Sequence, residues 1–157
     1  MHKVFVTVGT YKEGFDKLVE AADRIAAVET SFELVTQSGF SKYKPIHHRF
    51  FEFTDTIDEN YDWADVVVCT GGAGTIFSCL KKGKKIVSIL DADRIGIISE
   101  AHAYDITNHF RDKGMLVRCD RPGELLAALK QAVAMPPYIY TEPPCIIAGE
   151  ISSFLEK

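Results

Sequence analysis

The stretch Val66-Val67-Val68-Cys69-Thr70-Gly71-Gly72-Ala73-Gly74-Thr75 constrains the fold more than any other, because an apolar run empties into a glycine-rich turn that opens a helix. A continuous apolar run of this kind suits a strand covered on both faces, as in a parallel sheet. Gly71, Gly72 and Gly74 let the backbone approach a ligand with no Cβ in the way. The free N–H groups and the positive dipole end of the following helix favour negative charge. The turn is therefore read as a phosphate cradle, with a nucleoside diphosphate as the expected guest. It has neither the Lys-Ser/Thr ending of a Walker loop nor the G-x-G-x-x-G spacing of dinucleotide folds. Such turns also serve simply to pack a helix tightly on a sheet, so a structural role stands beside the ligand-binding one.

The flanking periodicity extends the same architecture. Residues 3–8 form a short apolar run ending at Gly9-Thr10, after which Phe15, Leu18, Val19, Ala22, Ile25 and Ala26 recur at helical spacing. Residues 32–36 predict a second strand ending at Gln37-Ser38-Gly39. Residues 49–53 predict a third, after a polar loop containing Tyr43, Pro45, His47 and His48, and a short helix follows over 57–63. Residues 65–69 and 85–90 read as buried strands flanking a helix over 74–82, which makes a βαβ unit. Helical character returns over 98–113, a last strand is predicted over 115–118, and Pro122 opens a helix over 122–134. The expected fold is α/β, a single Rossmann-like domain with a mainly parallel sheet over residues 1–135. Residues 136–157 are expected to form a Pro-rich connector and a C-terminal helix. Its stripe of Ile146, Ile147, Ile151, Phe154 and Leu155 folds back or docks on another chain.

At 157 residues and 46% hydrophobic, the chain suits one domain with a real core rather than two domains facing a large cleft. A formal net charge of −4 with scattered basic residues leaves no electrostatic footprint for nucleic acid. The cluster Lys81-Lys82-Gly83-Lys84-Lys85 suits the negative end of a helix instead. Cys69, Cys79, Cys119 and Cys145 form no C-x-x-C pair, and Cys69 and Cys79 fall within expected buried elements, which fits a reduced, cytoplasmic protein. No secretory h-region and no membrane-spanning run is read, so membrane contact is expected to be peripheral or through a partner.

In open parallel sheets ligands bind outside the carboxyl ends of the strands. Gly9, Thr10, Gln37, Thr70, Gly71, Gly72, Ala73, Gly74 and Thr75 are therefore expected on one ligand-binding rim. Gln37 reads equally well as a surface loop residue. Asp91-Ala92-Asp93-Arg94 belongs at the same rim, contacting sugar hydroxyls or simply organising a turn. His102, Asp105 and His109 share a helical stripe, but histidines seven apart stand about 10 Å apart along the axis, too far for one ion, and no metal site is predicted. His47 and His48, adjacent in an extended segment, read as loop surface rather than ligands.

With these landmarks placed, nearly the whole chain resembles the small single-domain members of the family 28 glycosyltransferases. That group includes a subunit of the two-subunit dolichol-pathway UDP-GlcNAc transferase and small subunits of bacterial exopolysaccharide glycosyltransferases. The matching pieces, in order, are Val4-Phe5-Val6-Thr7-Val8-Gly9-Thr10, Gly14-Phe15-Asp16-Lys17-Leu18-Val19, Gln37-Ser38-Gly39, Tyr43-x-Pro45, Ala64-Asp65-Val66-Val67-Val68 and Gly72-Ala73-Gly74-Thr75. The resemblance implies the donor-binding half of a GT-B enzyme, using a UDP-sugar as donor substrate and no further cofactor. It also implies a membrane-anchored partner subunit that binds a lipid-linked saccharide acceptor. Three positions depart from the family pattern. Thr70 stands where relatives carry a histidine, Ser78 where a glutamate can hold the ribose, and His102-Ala103-Tyr104-Asp105 keeps a histidine and an acid of a later motif without its glutamine.

Inverting transfer needs an acceptor hydroxyl deprotonated and the departing UDP charge stabilised. Amides at residues 71–75 and the Thr75 hydroxyl are expected to do the second without metal. Asp16, His102 and Asp105 are the local candidates for the base, which otherwise lies on the partner. Thr70 and Ser78 favour an alternative from another class, a noncatalytic nucleotide-sugar-binding or scaffold subunit of a polysaccharide-synthesis complex.

Overall fold

A computed structural model describes residues 1–91, 100–136 and 138–141. Six strands, β1 (His2–Thr7), β2 (Phe32–Gln37), β3 (Arg49–Phe51), β4 (Val66–Cys69), β5 (Lys85–Ile89) and β6 (Val117–Cys119), make one sheet in the order β3-β2-β1-β4-β5-β6. Every pairing is parallel, with Val6 opposite Thr36 on one side and Val68 on the other. The helices are α1 (Asp16–Val28), α2 (Ile57–Trp63), α3 (Ala73–Lys81), α4 (Glu100–Asp112) and α5 (Leu125–Ala134), with a 3-10 turn at Pro122–Glu124 before the last. The fold is α/β and Rossmann-like, as the alternation of the sequence implies.

Strand alternation divides the core into two layers. Val4, Val6, Val66, Val68 and Val87 face Leu18, Val19 and Ala22 of α1 and Leu125 and Leu129 of α5. Phe5, Val35, Val67 and Ile86 face the other way, toward Tyr61 of α2, Ile76 and Leu80 of α3 and Phe110 of α4. All four residues of β4 are buried because helices cover both faces, which is why its sequence is a continuous apolar run. Tyr138 and Tyr140, beyond α5, pack half-buried against the second layer.

Several boundaries differ from the periodicity, three of them for a reason visible in the hydrogen bonding. α3 begins at Ala73, because Gly72 acts as its N-cap and receives the Ile76 N–H at 3.1 Å. The third strand stops at Phe51, although the Gly39 N–H still reaches the Glu52 carbonyl at 3.0 Å. The last strand starts at Val117, because Gly114, at φ +69°, closes α4 with bonds from Gly114 N to Arg111 O and from Met115 N to Phe110 O. Met115 is thereby spent on the helix end. The predicted C-terminal helix, with its stripe from Ile146 to Leu155, and the Ala92-Asp93-Arg94 part of the turn after β5 lie outside the described residues. No helix among the described residues is long and apolar enough to cross a membrane.

The chain leaves β1 toward β2 and leaves β4 toward β5, in opposite directions along the sheet. The loops after β1 and β4 therefore part at their carboxyl ends, the position at which sheets of this strand order form their ligand crevice.

Candidate functional site

The glycine turn after β4 occupies one wall of this crevice. Gly71 has φ +80°, a left-handed conformation that favours glycine, and a Cβ there would lie 2.9 Å from the Ala103 Cβ and 3.1 Å from Leu90 Cδ2. Gly71 is thus a packing glycine seated on α4. Gly72 and Gly74 differ, because a Cβ on either would meet nothing within 4 Å. Their exposed faces leave room for a ligand to reach the backbone. No side chain caps α3, and its first turn contains no acidic residue. The amides of Ala73, Gly74 and Thr75 lie in the turn where a helix leaves its N–H groups without intrahelical acceptors, so they and the dipole present positive potential to the open side.

Thr75 is tied from behind. The Tyr61 hydroxyl of α2 donates to Thr75 Oγ1 at 3.4 Å, which leaves the threonine proton free to donate. Burial, which outweighs this bond to Thr75, pushes the Tyr61 phenol above its ordinary range, so it stays a protonated donor. Ser78 is half-buried one turn beyond Gly74 on the same helical face, and Thr70 is half-buried between β4 and Gly71. Cys69, just before the turn, is buried, and its thiol is pushed up to about 11 by that burial, against hydrogen bonds from Gly71 and Ser88. It is no nucleophile at neutral pH.

Behind Gly71, Ser88 Oγ of β5 and Thr107 Oγ1 of α4 share a buried hydrogen bond of 2.7 Å that joins helix to sheet. His102 and Asp105 are exposed on α4, and His102 is next in sequence to the Ala103 that abuts Gly71. The fold therefore brings α4 to the turn with both side chains on its outer face. Asp91, after β5, is buried.

The other wall is built by the loops after β1 and β2. Gln37 ends β2 and is 5% exposed, which replaces the surface-loop reading. Its Oε1 accepts from Thr7 Oγ1 at 2.8 Å, and the Gly9 N–H donates to the same threonine oxygen at 3.2 Å. Gln37 thus sets the loop that carries Gly9 and the exposed Thr10. Backbones then pack without intervening side chains, since a Cβ on Gly14 would lie 2.6 Å from Ser41 N and one on Gly39 would lie 2.7 Å from Gly9 O. Asp16 opens α1, but its Oδ1 accepts the amides of Lys42 and Tyr43 at 2.6 and 3.0 Å, a positioning task. Among the bonds of the described residues, none joins Asp16 to His102 or Asp105.

About two turns further along α1, Asp23 is 1% exposed and accepts from Ile46 N (3.0 Å), His47 N (2.8 Å) and Tyr43 Oη (3.0 Å), with His47 Nδ1 at 3.1 Å. Burial alone would raise its pKa, but these hydrogen bonds together hold it below the usual carboxylate value. His48 corrects the loop-surface expectation, since its side chain is only 3% exposed, with Nε2 2.7 Å from Thr36 Oγ1 and Nδ1 3.3 Å from Asp23 Oδ1. Burial pushes its pKa down, partly offset by Asp23. The neighbouring His47 side chain remains 45% exposed, so the adjacent pair does split as an extended segment requires.

A family model for the glycosyltransferase family 28 C-terminal domain matches residues 3–155. The chain belongs to this family. The UDP-N-acetylglucosamine transferase subunit ALG13 of Mus musculus is 30% identical over 131 residues, 76% of this chain and 11% of that protein. The UDP-N-acetylglucosamine–N-acetylmuramyl-(pentapeptide) pyrophosphoryl-undecaprenol N-acetylglucosamine transferase of Photobacterium profundum is 34% identical over 70 residues, 43% of this chain and 20% of that one. Among solved structures, the calicheamicin glycosyltransferase CalG4 superposes with a TM-score of 0.68 at 13% identity, over 85% of this chain and 34% of that chain. MurG of Acinetobacter baumannii superposes with a TM-score of 0.62 at 17% identity, over 85% of this chain and 42% of that chain. The family 28 chain therefore spans about a tenth to a fifth of these two curated relatives and matches about a third to two fifths of these solved GT-B chains.

Within this family 28 domain, sequence reasoning found the glycine turn but missed Tyr61, Asp23 and Thr107. Tyr61 carried no signal beyond an apolar position in a short helix. Asp23 had one, an acid at the buried face of the α1 stripe between Ala22 and Ile25. An acid at such a position needs partners, and the polar loop at 43–48 is where they lie.

Proposed function

We propose that this family 28 domain is the donor-binding half of a UDP-sugar-dependent hexosyltransferase of GT-B type. It passes GlcNAc, or a related hexose or uronic acid, to a lipid-linked acceptor. A membrane-associated partner subunit supplies the acceptor half. The observation that carries this reading is the uncapped, acid-free first turn of α3, with open space over Gly72 and Gly74. A diphosphate fits there because fixed amide dipoles meet its charge without reorganisation. Both curated relatives are named as UDP-N-acetylglucosamine or N-acetylglucosamine transferases, one of them acting on a pyrophosphoryl-undecaprenol carrier, which supports the donor and acceptor classes.

In this mechanism the acceptor oxygen attacks the anomeric carbon as the bond to UDP breaks, and its proton passes to a base. Charge gathering on the departing diphosphate is met by the amides of Ala73, Gly74 and Thr75 and by the Thr75 hydroxyl, which Tyr61 orients. Asp16 is a poor base because one carboxylate oxygen already receives two amides. The role falls to His102, with Asp105 on the same face of α4, or to the partner. Thr70 and Ser78 sustain a second reading, a noncatalytic nucleotide-sugar-binding subunit.

Ligand-observed NMR of the full chain with UDP-GlcNAc, UDP-glucose, UDP-glucuronate and ADP separates these readings. UDP-sugars are expected to bind at about millimolar concentration or tighter, and ADP not at all. Equal binding of ADP would remove the uridine assignment, and silence from all four would favour a scaffold.

A further inference from the structure

Two phenylalanines stand out at the carboxyl rim. Phe40 is 50% and Phe53 45% exposed, and their rings meet edge to face with centroids 5.0 Å apart. They extend beyond the ends of β2 and β3, where the Gly39–Glu52 backbone bond holds the two strands together. Phe50 on edge strand β3 is exposed too, with Lys44 Nζ 5.7 Å from its ring centre and 2.6 Å from Glu52 Oε1. Single exposed apolar residues are ordinary, whereas rings held side by side at a sheet corner mark a surface that something covers.

The charge around these rings says what covers them. Residues 40–53 carry Lys42, Lys44 and Arg49 against Glu52 alone, in a chain whose net charge is −4. Lys42 and Arg49 are exposed and form no ion pair among the described residues. The segment is also held in place, since Asp16 receives the amides of Lys42 and Tyr43 and Asp23 those of Ile46 and His47. A clamped loop loses little freedom on docking. Exposed aromatic rings on a segment that carries three cations against one acid match the headgroup layer of an anionic bilayer, where rings sit at the interface and ammonium groups meet phosphates.

We propose that this rim docks directly on an anionic membrane surface, with Phe40 and Phe53 entering the headgroup layer and Lys42, Lys44 and Arg49 facing the lipid phosphates. The glycine turn opens at the same carboxyl edge of the sheet, so docking sets the crevice close to the bilayer. Vesicle binding is read without nucleotide or acceptor, and so it stands or falls separately from the donor reading.

The test is co-sedimentation of the full chain with phosphatidylcholine vesicles and with vesicles that also contain phosphatidylserine. The protein is expected to pellet only with the anionic vesicles. Binding should fall about fivefold for each cation removed in Lys42→Gln and Lys44→Gln. Phe40→Ser with Phe53→Ser should abolish it at an unchanged thermal midpoint, and Phe40→Ser alone serves if the double variant unfolds. Failure to pellet with anionic vesicles, or equal pelleting of the serine variants, overturns the proposal. So does a self-association, seen by sedimentation velocity, that the serine variants abolish while vesicle binding is absent, because the patch would then join copies of this chain.

Discussion

Gly71 and Gly74 are three residues apart and do different work. Gly71 supplies a left-handed turn pressed against Ala103, so Gly71→Ala is expected to lower stability by about 1–3 kcal/mol through strain and overpacking, read as a lower thermal midpoint. An unchanged midpoint would mean that α4 does not sit on the turn. At Gly74 a Cβ meets empty space within the first turn of α3, so Gly74→Asp leaves the fold intact. Its carboxylate even suits the helix dipole, worth about 0.3–1 kcal/mol, while it repels a diphosphate from the same amides. Stability held or raised with UDP binding lost is the expected pair of results, from calorimetry and melting on one sample. UDP binding unchanged in the folded variant would move the donor site elsewhere. The sequence made these glycines visible together but could not sort them, because the distinction lies in what α4 places behind one of them.

At the scale of elements, α1 governs the loop after β2 through two carboxylates on one helical side, Asp16 and Asp23. Asp23 and His48 make this clamp sensitive to pH. His48 is held below the ordinary histidine value near 6.5, so in acid the unfolded chain takes up a proton that the folded ring resists. Stability should therefore fall as the pH drops from about 6.5 toward the lowered His48 value. Asp23 has its folded pKa depressed below 3.8, so its contribution is full above that value and is lost as the pH falls through the lowered one. Thermal midpoints measured between about pH 7 and about pH 5 should decline in the wild type and flatten in His48→Gln, with parallel slopes contradicting the assignment. Helix and strand positions were legible from periodicity, Ile57–Trp63 to the residue. The clamp was not, since Tyr43, Pro45 and the histidines read as an ordinary polar loop until the helix that binds them is folded alongside.

For the molecule as a whole, the strand order and the crevice between β1 and β4 follow from alternating elements and handedness, which is why the α/β fold could be read from the chain. The proposed site was legible to the extent that backbone amides make it, since glycine spacing records them. The base was not, because glycine spacing does not record which of Asp16, His102 and Asp105 faces an acceptor. One Rossmann-like unit presents one wall of a GT-B cleft, so under the proposed function this domain binds a donor weakly on its own and turns over only when the proposed acceptor half is added. The proposed function places the diphosphate on the first turn of α3. The most direct measurement is an amide NMR titration of the full chain with UDP, using ADP as control. Selective shifts are expected at Gly72, Ala73, Gly74 and Thr75 with UDP. Binding of UDP that leaves these four amides unmoved and shifts others would contradict that placement.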